Sequence, residues 1–213
     1  MTEFRAENRG GIYVVAVEGL SALRALEDIP ANVKRAALQA VNRTADRTRT
    51  AAARRMREQV NWRASYLSPS QGRFNVTERA RADSLEARIT ARQRPTSLAS
   101  FSTGTVGGKN GVTVQVAPGF AKLMKRAFLV RLRVGSLPLD TRSNLGLAIR
   151  LKPGERVDNK RVMIPLRKGS NVYLLYGPSV DQVFRSVAGE VAPDAAEFLE
   201  SEFLRLMELD RNA

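Results

Sequence analysis

The sequence predicts an α+β fold: an antiparallel β-sheet packed against a long amphipathic N-terminal helix, with two C-terminal helices. Three observations predict it. Residues 31–60 repeat at the helical period, with Arg43, Arg47, Arg54 and Arg57 inside roughly a quarter of the circumference and Leu38, Val41, Ala45, Ala52 and Met56 opposite them. From Arg73 to Tyr176 the period drops to two, the mark of half-buried strands. Beyond Ser179 the helical period returns.

Taken in order, residues 1–10 are polar and read as a loose segment, and Ile12–Val17 is a β-branched run expected to be a strand buried on both faces. Leu20–Ile29 reads as a short helix stopped by Pro30. The long helix follows; its alanines support it by propensity alone. Trp62, Tyr66 and Leu67 then fall in a connector reaching Gly72, either as exposed anchors or as a cap over the core. Four alternating runs come next: Leu85/Ala87/Ile89/Ala91, Val112/Val114/Val116, Phe128/Val130/Leu132/Val134 with Arg131 and Arg133 outward, and Leu145/Leu147/Ile149/Leu151. Val162–Leu166 and Val172–Tyr176 complete the sheet, and Pro165 places the former at an edge. The stretches 96–111 and 135–144 read as long loops. A helix capped by Ser179 and Gln182 is expected to stop at Gly189, and a second, acidic one to start at Pro193. Residues 1–189 are therefore expected to form one domain, with 190–213 an acidic helix that packs on the body or on a neighbouring subunit.

The charge balance narrows the function classes. The 35 Lys and Arg outnumber 21 Asp and Glu, a net of +14, which favours polyanionic partners. The surplus is uneven: +10 over Lys34–Arg94, +11 over Lys109–Arg185, and −5 from Glu190 onward. Cysteine and histidine are both missing, which removes thiol nucleophiles, disulfides, His/Cys metal sites and the Ser-His-Asp arrangement together. The glycines at 107, 108 and 111 precede an expected strand rather than a helix, so they make a poor phosphate loop. No apolar run reaches 18 residues, and the N-terminus has no signal-peptide core. The expectation is a soluble intracellular product, without catalytic residues, cofactor, metal or membrane contact.

Residues that remain as candidates are surface ones. Arg43, Arg47, Arg54, Arg57 and Arg63 form a row of fixed charge able to face a polyanion or an acidic partner, or simply solvent. Phe198 and Leu209 lie partly off the apolar stripe of the last helix, so they face a partner or pack on the chain's own sheet. Asn42, mid-helix, either bonds a buried sheet or loop group or is exposed.

Several strings occur in an order that resembles the minor tail protein Z family of tailed bacteriophages, among the tail-completion and neck proteins. They are Gly19-Leu20, Ala40-Val41-Asn42-Arg43-Thr44-Ala45, Arg94-Pro95 with Leu98 and Phe101, Phe128, and Tyr176-Gly177-Pro178-Ser179. The resemblance covers roughly residues 19–187. It implies a structural virion protein in the neck region, made in the host cytoplasm, that completes the upper end of the tail and helps join tail to head. By the same analogy it forms a homo-oligomeric ring, sixfold to match a tail tube, around the DNA channel. Its partners would be tail-terminator, tail-tube or head–tail connector proteins and passing DNA, and Tyr176, Gly177 and Pro178 would lie at a subunit interface. The alternative is a sequence-nonspecific nucleic-acid-binding protein using the arginine-rich helix.

Overall fold

Alternation between helical and two-residue periods produces two long helices and eleven strands in the computed structural model, which describes residues 30–103, 111–132, 145–157, 159–160 and 162–211, together with the backbone of 3–9 and 12–18. The chain divides into two compact units. The first comprises residues 1–56, 65–92 and 181–213, and the second residues 57–64 and 93–180.

The first unit holds a four-stranded antiparallel sheet in the order β1-β2-β4-β3, built from β1 (Glu3–Arg9), β2 (Ile12–Glu18), β3 (Phe74–Glu78) and β4 (Glu86–Ala91). The expected loose segment is therefore a strand. It pairs with β2 from Glu3↔Glu18 to Arg9↔Ile12, and backbone pairing needs no apolar alternation. Gly10-Gly11 between the runs is the sequence signal that was available for this hairpin. The helix expected over 20–29 lies outside the described residues.

Helix α1 (Ala31–Gln59) buries Val41, Ala45, Ala52 and Met56 of the expected stripe completely, whereas Leu38 is only half-buried and Ala36, Ala37 and Ala40 are buried beside them. Asn42 takes the buried option: its Nδ2 donates to the Ala80 carbonyl at 3.1 Å and its Oδ1 accepts the Ala80 N–H at 2.9 Å. Ala80 is itself buried, so one side chain satisfies both of its backbone groups. Arg49 fastens α1 to β3, its Nε donating to the Phe74 carbonyl at 3.1 Å and its Nη2 to the Leu67 carbonyl. The Phe74 ring meets Phe184 edge-on with centroids 4.8 Å apart.

The largest correction concerns the C-terminus. One helix, α2 (Val180–Arg211), replaces the two that were expected. Gly189 does not stop it and Pro193 lies inside it. The interruptions cost roughly 1 and 3 kcal/mol. Against them, the buried positions Val187, Ala188, Val191, Ala195, Leu199 and Leu206 keep helical phase straight through 189–193. Burying Val191, Leu199 and Leu206 contributes about 1.5–3 kcal/mol each, which outweighs both penalties. Gly189 and Pro193 also lie on the exposed face, where solvent can satisfy the carbonyl that Pro193 leaves unbonded.

The second unit is all β apart from short turns. A five-stranded sheet runs β10-β11-β9-β8 with β5 also paired to β11, and a two-stranded hairpin joins β6 to β7. The strands are β5 (Pro95–Ser97), β6 (Val112–Val114), β7 (Lys122–Met124), β8 (Ala127–Arg131), β9 (Leu145–Arg150), β10 (Met163–Pro165) and β11 (Val172–Ser179). The single sheet expected from the sequence is thus three sheets, because alternation marks strands but does not encode which of them pair. Part of the expected 96–111 loop is strand β5 and a 3-10 helix over Leu98–Phe101. In β8 the buried residues are Ala127 and Leu129 rather than Phe128 and Val130, which are half-buried; both parities there are apolar, so the pattern does not fix the face. Pro165 does sit on an edge strand. Trp62 is buried and faces Phe101 across 6.5 Å, a cap over this unit's core.

Continuity of α2 gives a direct test. Gly189 has negative φ, and a Cβ there would meet nothing within 4 Å. Gly189→Ala should therefore raise stability by about 0.5–1 kcal/mol, a rise of roughly 2 °C in thermal midpoint. A fall would restore the two-helix reading, in which Gly189 is a left-handed cap.

Candidate polyanion and partner surfaces

Arginine-to-acid contacts between α1 and α2 come first, because they determine which charges are left for a partner. Arg35 donates to Asp210 at 2.8 Å, Arg43 donates to Glu202, and the Arg47 guanidinium lies 4.2 Å over the Phe198 ring. As the α1 number climbs from 35 to 47 its α2 partner falls by the same amount, from 210 to 198. The helices therefore run antiparallel in one register for about 18 Å.

Glu202 is the centre of this seam. It is 7% exposed and accepts from Arg205 through both Nε and Nη2 at 2.8 Å as well as from Arg43. The Arg205 hydrogen bonds, aided by Arg43, outweigh burial and hold its carboxyl down to about 2. The same contact raises Arg205.

The five candidate arginines consequently separate. Arg43 and Arg47 are engaged with α2, and Arg57 donates to the Trp62 carbonyl at 3.3 Å. Arg54 is exposed on α1, and Arg63 is exposed on the segment that follows it. Other arginines of the first unit are also structural: Arg73 and Arg92 lie 4.3 and 5.9 Å over the Tyr66 ring, and Arg92 donates to the Tyr66 hydroxyl at 2.8 Å.

The candidate interface residues separate too. Tyr176 is half-buried, paired with Ser97, and donates its N–H to the Val162 carbonyl at 2.8 Å. A Cβ on Gly177 would come within 3.0 Å of Leu98, so this glycine permits close packing inside the second unit. Pro178 is half-buried beside it, and Phe198 is partly covered by Arg47. Leu209 is 54% exposed, as is Leu204, which the helical pattern did not single out.

Sequence reasoning missed where the free charge lies. The second unit has 17 Lys and Arg against four acids, a net of +13, whereas the first has 18 against 17. The units interleave in the chain, so counting along the sequence spreads this asymmetry over two segments. Of the four acids, Glu155 is held by Arg126 at 2.7 and 2.8 Å and by the Lys152 N–H at 2.7 Å, which lowers its carboxyl to about 2. Lys122, Lys125, Arg156, Lys160, Arg167 and Lys168 are exposed and form no ion pair among the described residues. Phe120, 79% exposed in the turn between β6 and β7, and Leu123, 52% exposed, are further large apolar residues that the alternation did not mark.

Among the described residues no group of three or more His, Cys, Asp or Glu could hold a metal ion, and no helix is long and apolar enough to cross a membrane. No family model, curated protein or solved structure matches the chain.

The seam should be pH-dependent. A carboxylate depressed in the folded state contributes stability above its unfolded value near 4.5, and that contribution is lost as pH falls through about 2. Denaturant unfolding at pH 7, 4.5 and 2.5 should show a loss over this window that is smaller in Glu202→Gln. The variant should itself be less stable at pH 7 by about 1–2 kcal/mol. Identical pH profiles would show that Glu202 is not the linked group.

Proposed function

We propose that this chain is a structural protein of a tailed-phage virion that completes the upper end of the tail as an oligomeric ring around the DNA channel and helps join tail to head. The ordered strings that resemble the minor tail protein Z family supply the assembly context. The observation that carries the reading is the segregation of charge, a unit of net +13 on a chain that also displays an acidic helix face. Such a chain has one surface for polyanionic or acidic partners and another for basic ones, as repeated head-to-tail assembly requires. The role needs shape and electrostatics rather than bond-making chemistry, and the neighbours it implies are tail-tube, terminator or connector proteins.

The same +13 favours a second reading, a nonspecific nucleic-acid-binding protein. Contact through lysine and arginine alone would read no sequence and would weaken steeply with salt. The two readings differ in solution. Light scattering after size exclusion should give a hexamer-scale particle, either alone or on adding the tail-tube protein, and electron microscopy should show an annulus. A persistent monomer that binds DNA of any sequence at physiological salt would replace the first reading with the second.

A further inference from the structure

The exposed positions of α2 beyond Pro193 span about half of its circumference, with outward acids around Leu204 on one side and Arg205 and Leu209 on the other. Asp194, Glu197, Glu200 and Glu208 are exposed there and form no ion pair among the described residues, with Leu204, 54% exposed, among them; Leu209, equally exposed, lies about 140° round the helix from Leu204. Beyond Pro193 the helix thus sorts its six acids: Glu202 and Asp210 pair with α1, while the other four face outward.

The β6–β7 hairpin has the opposite character. Phe120 and Leu123 are exposed, and Lys122 and Lys125 are exposed with them. The hairpin is a tight, anchored element. Gly111 has φ +83, and a Cβ there would fall 2.6 Å from the Met124 carbonyl oxygen, so the two arms approach closely. Backbone bonds from Gln115 N–H to the Phe101 carbonyl (3.0 Å) and from Thr103 N–H to the Thr113 carbonyl (3.2 Å) fasten it to the rest of its unit. An aromatic and a leucine exposed on an anchored hairpin suit an apolar anchor within a charged rim.

We infer that the β6–β7 hairpin of one copy docks on the outer face of α2 of the next copy, Phe120 and Leu123 against Leu204, with Lys122 and Lys125 against Glu197, Glu200 and Glu208 around it. This deepens the proposed ring by naming its subunit contact, and it rests on that reading. A second copy is the favoured occupant because both halves of the match, apolar centre and opposite rims, are on this one chain. DNA offers the apolar tip no complement, and a membrane, which could take the tip and its lysines, would leave the acidic α2 face without a partner. In the proposed ring the contact is heterologous, each copy offering its hairpin to one neighbour and its α2 face to the other.

The native chain has no cysteine, which makes the test clean. Leu123→Cys and Leu204→Cys are prepared separately, both at exposed positions, and treated with a short bis-maleimide. A cross-linked dimer should form when the two proteins are mixed and be at least about tenfold weaker with either alone. In sedimentation, Lys122→Glu with Lys125→Glu should weaken self-association about tenfold or more, and adding Glu197→Lys with Glu200→Lys should restore much of it. Strong cross-linking of Leu204→Cys with itself, or unchanged association after charge reversal, would overturn the contact while leaving an oligomeric ring standing. A chain that stays monomeric alone and with tail-tube protein would overturn both.

Discussion

The antiparallel register of α1 against α2 is the constraint on which the first unit depends. Arg35–Asp210, Arg43–Glu202 and Arg47–Phe198 recur along one seam, so a slip of one residue on either helix would misalign all three together. Exposed ion pairs contribute little each, on the order of 0–1 kcal/mol. Their value here is in specifying one register among those that apolar burial alone would tolerate. Glu202 matters most because it is buried with two guanidinium partners, and losing either would leave its charge poorly compensated.

That register also explains why α2 runs through Gly189 and Pro193. Val180, Phe184 and Val187 precede the interruption and Leu199, Glu202 and Leu206 follow it, all buried. Breaking the helix would rotate the second group out of phase with the first and separate Glu202 from Arg43. Local propensity favours a break, and burial on both sides opposes it. Burial on the two sides together wins, and the helix continues.

This contest marks what was legible in the sequence. Most of the α1 stripe, the edge position of Pro165 and the strand around Ala87 and Ile89 follow from period and propensity, which act within a few residues. Illegible were the quantities set by distant partners. The parity of β8 is ambiguous because Ala127, Phe128, Leu129 and Val130 are all apolar, and the split into three sheets depends on pairings such as β5 with β11 across more than 70 residues of sequence. The arginine row is the instructive case. Its exposed face is read correctly from 100° per residue, but the period cannot say that Arg43 and Arg47 meet Glu202 and Phe198 more than 150 residues later. Fixed charge on a helix face is therefore not the same as charge available to a partner.

Once the internal pairs are removed, the remaining charge has a direction. The second unit keeps lysines and arginines without ion pairs among the described residues, and the outward acids belong to α2 in the first. Two copies meeting through their second units would juxtapose two surfaces of net +13, which electrostatics opposes over roughly a Debye length of about 8 Å at physiological salt. Two α2 faces meeting would juxtapose unpaired acids. Like surfaces meeting are disfavoured by like charge, whereas the proposed contact brings unlike ones together. In the proposed ring the hairpin and the outer face of α2 therefore join surfaces of opposite charge, and the exposed residues Phe120, Leu123 and Leu204 lie on those two surfaces.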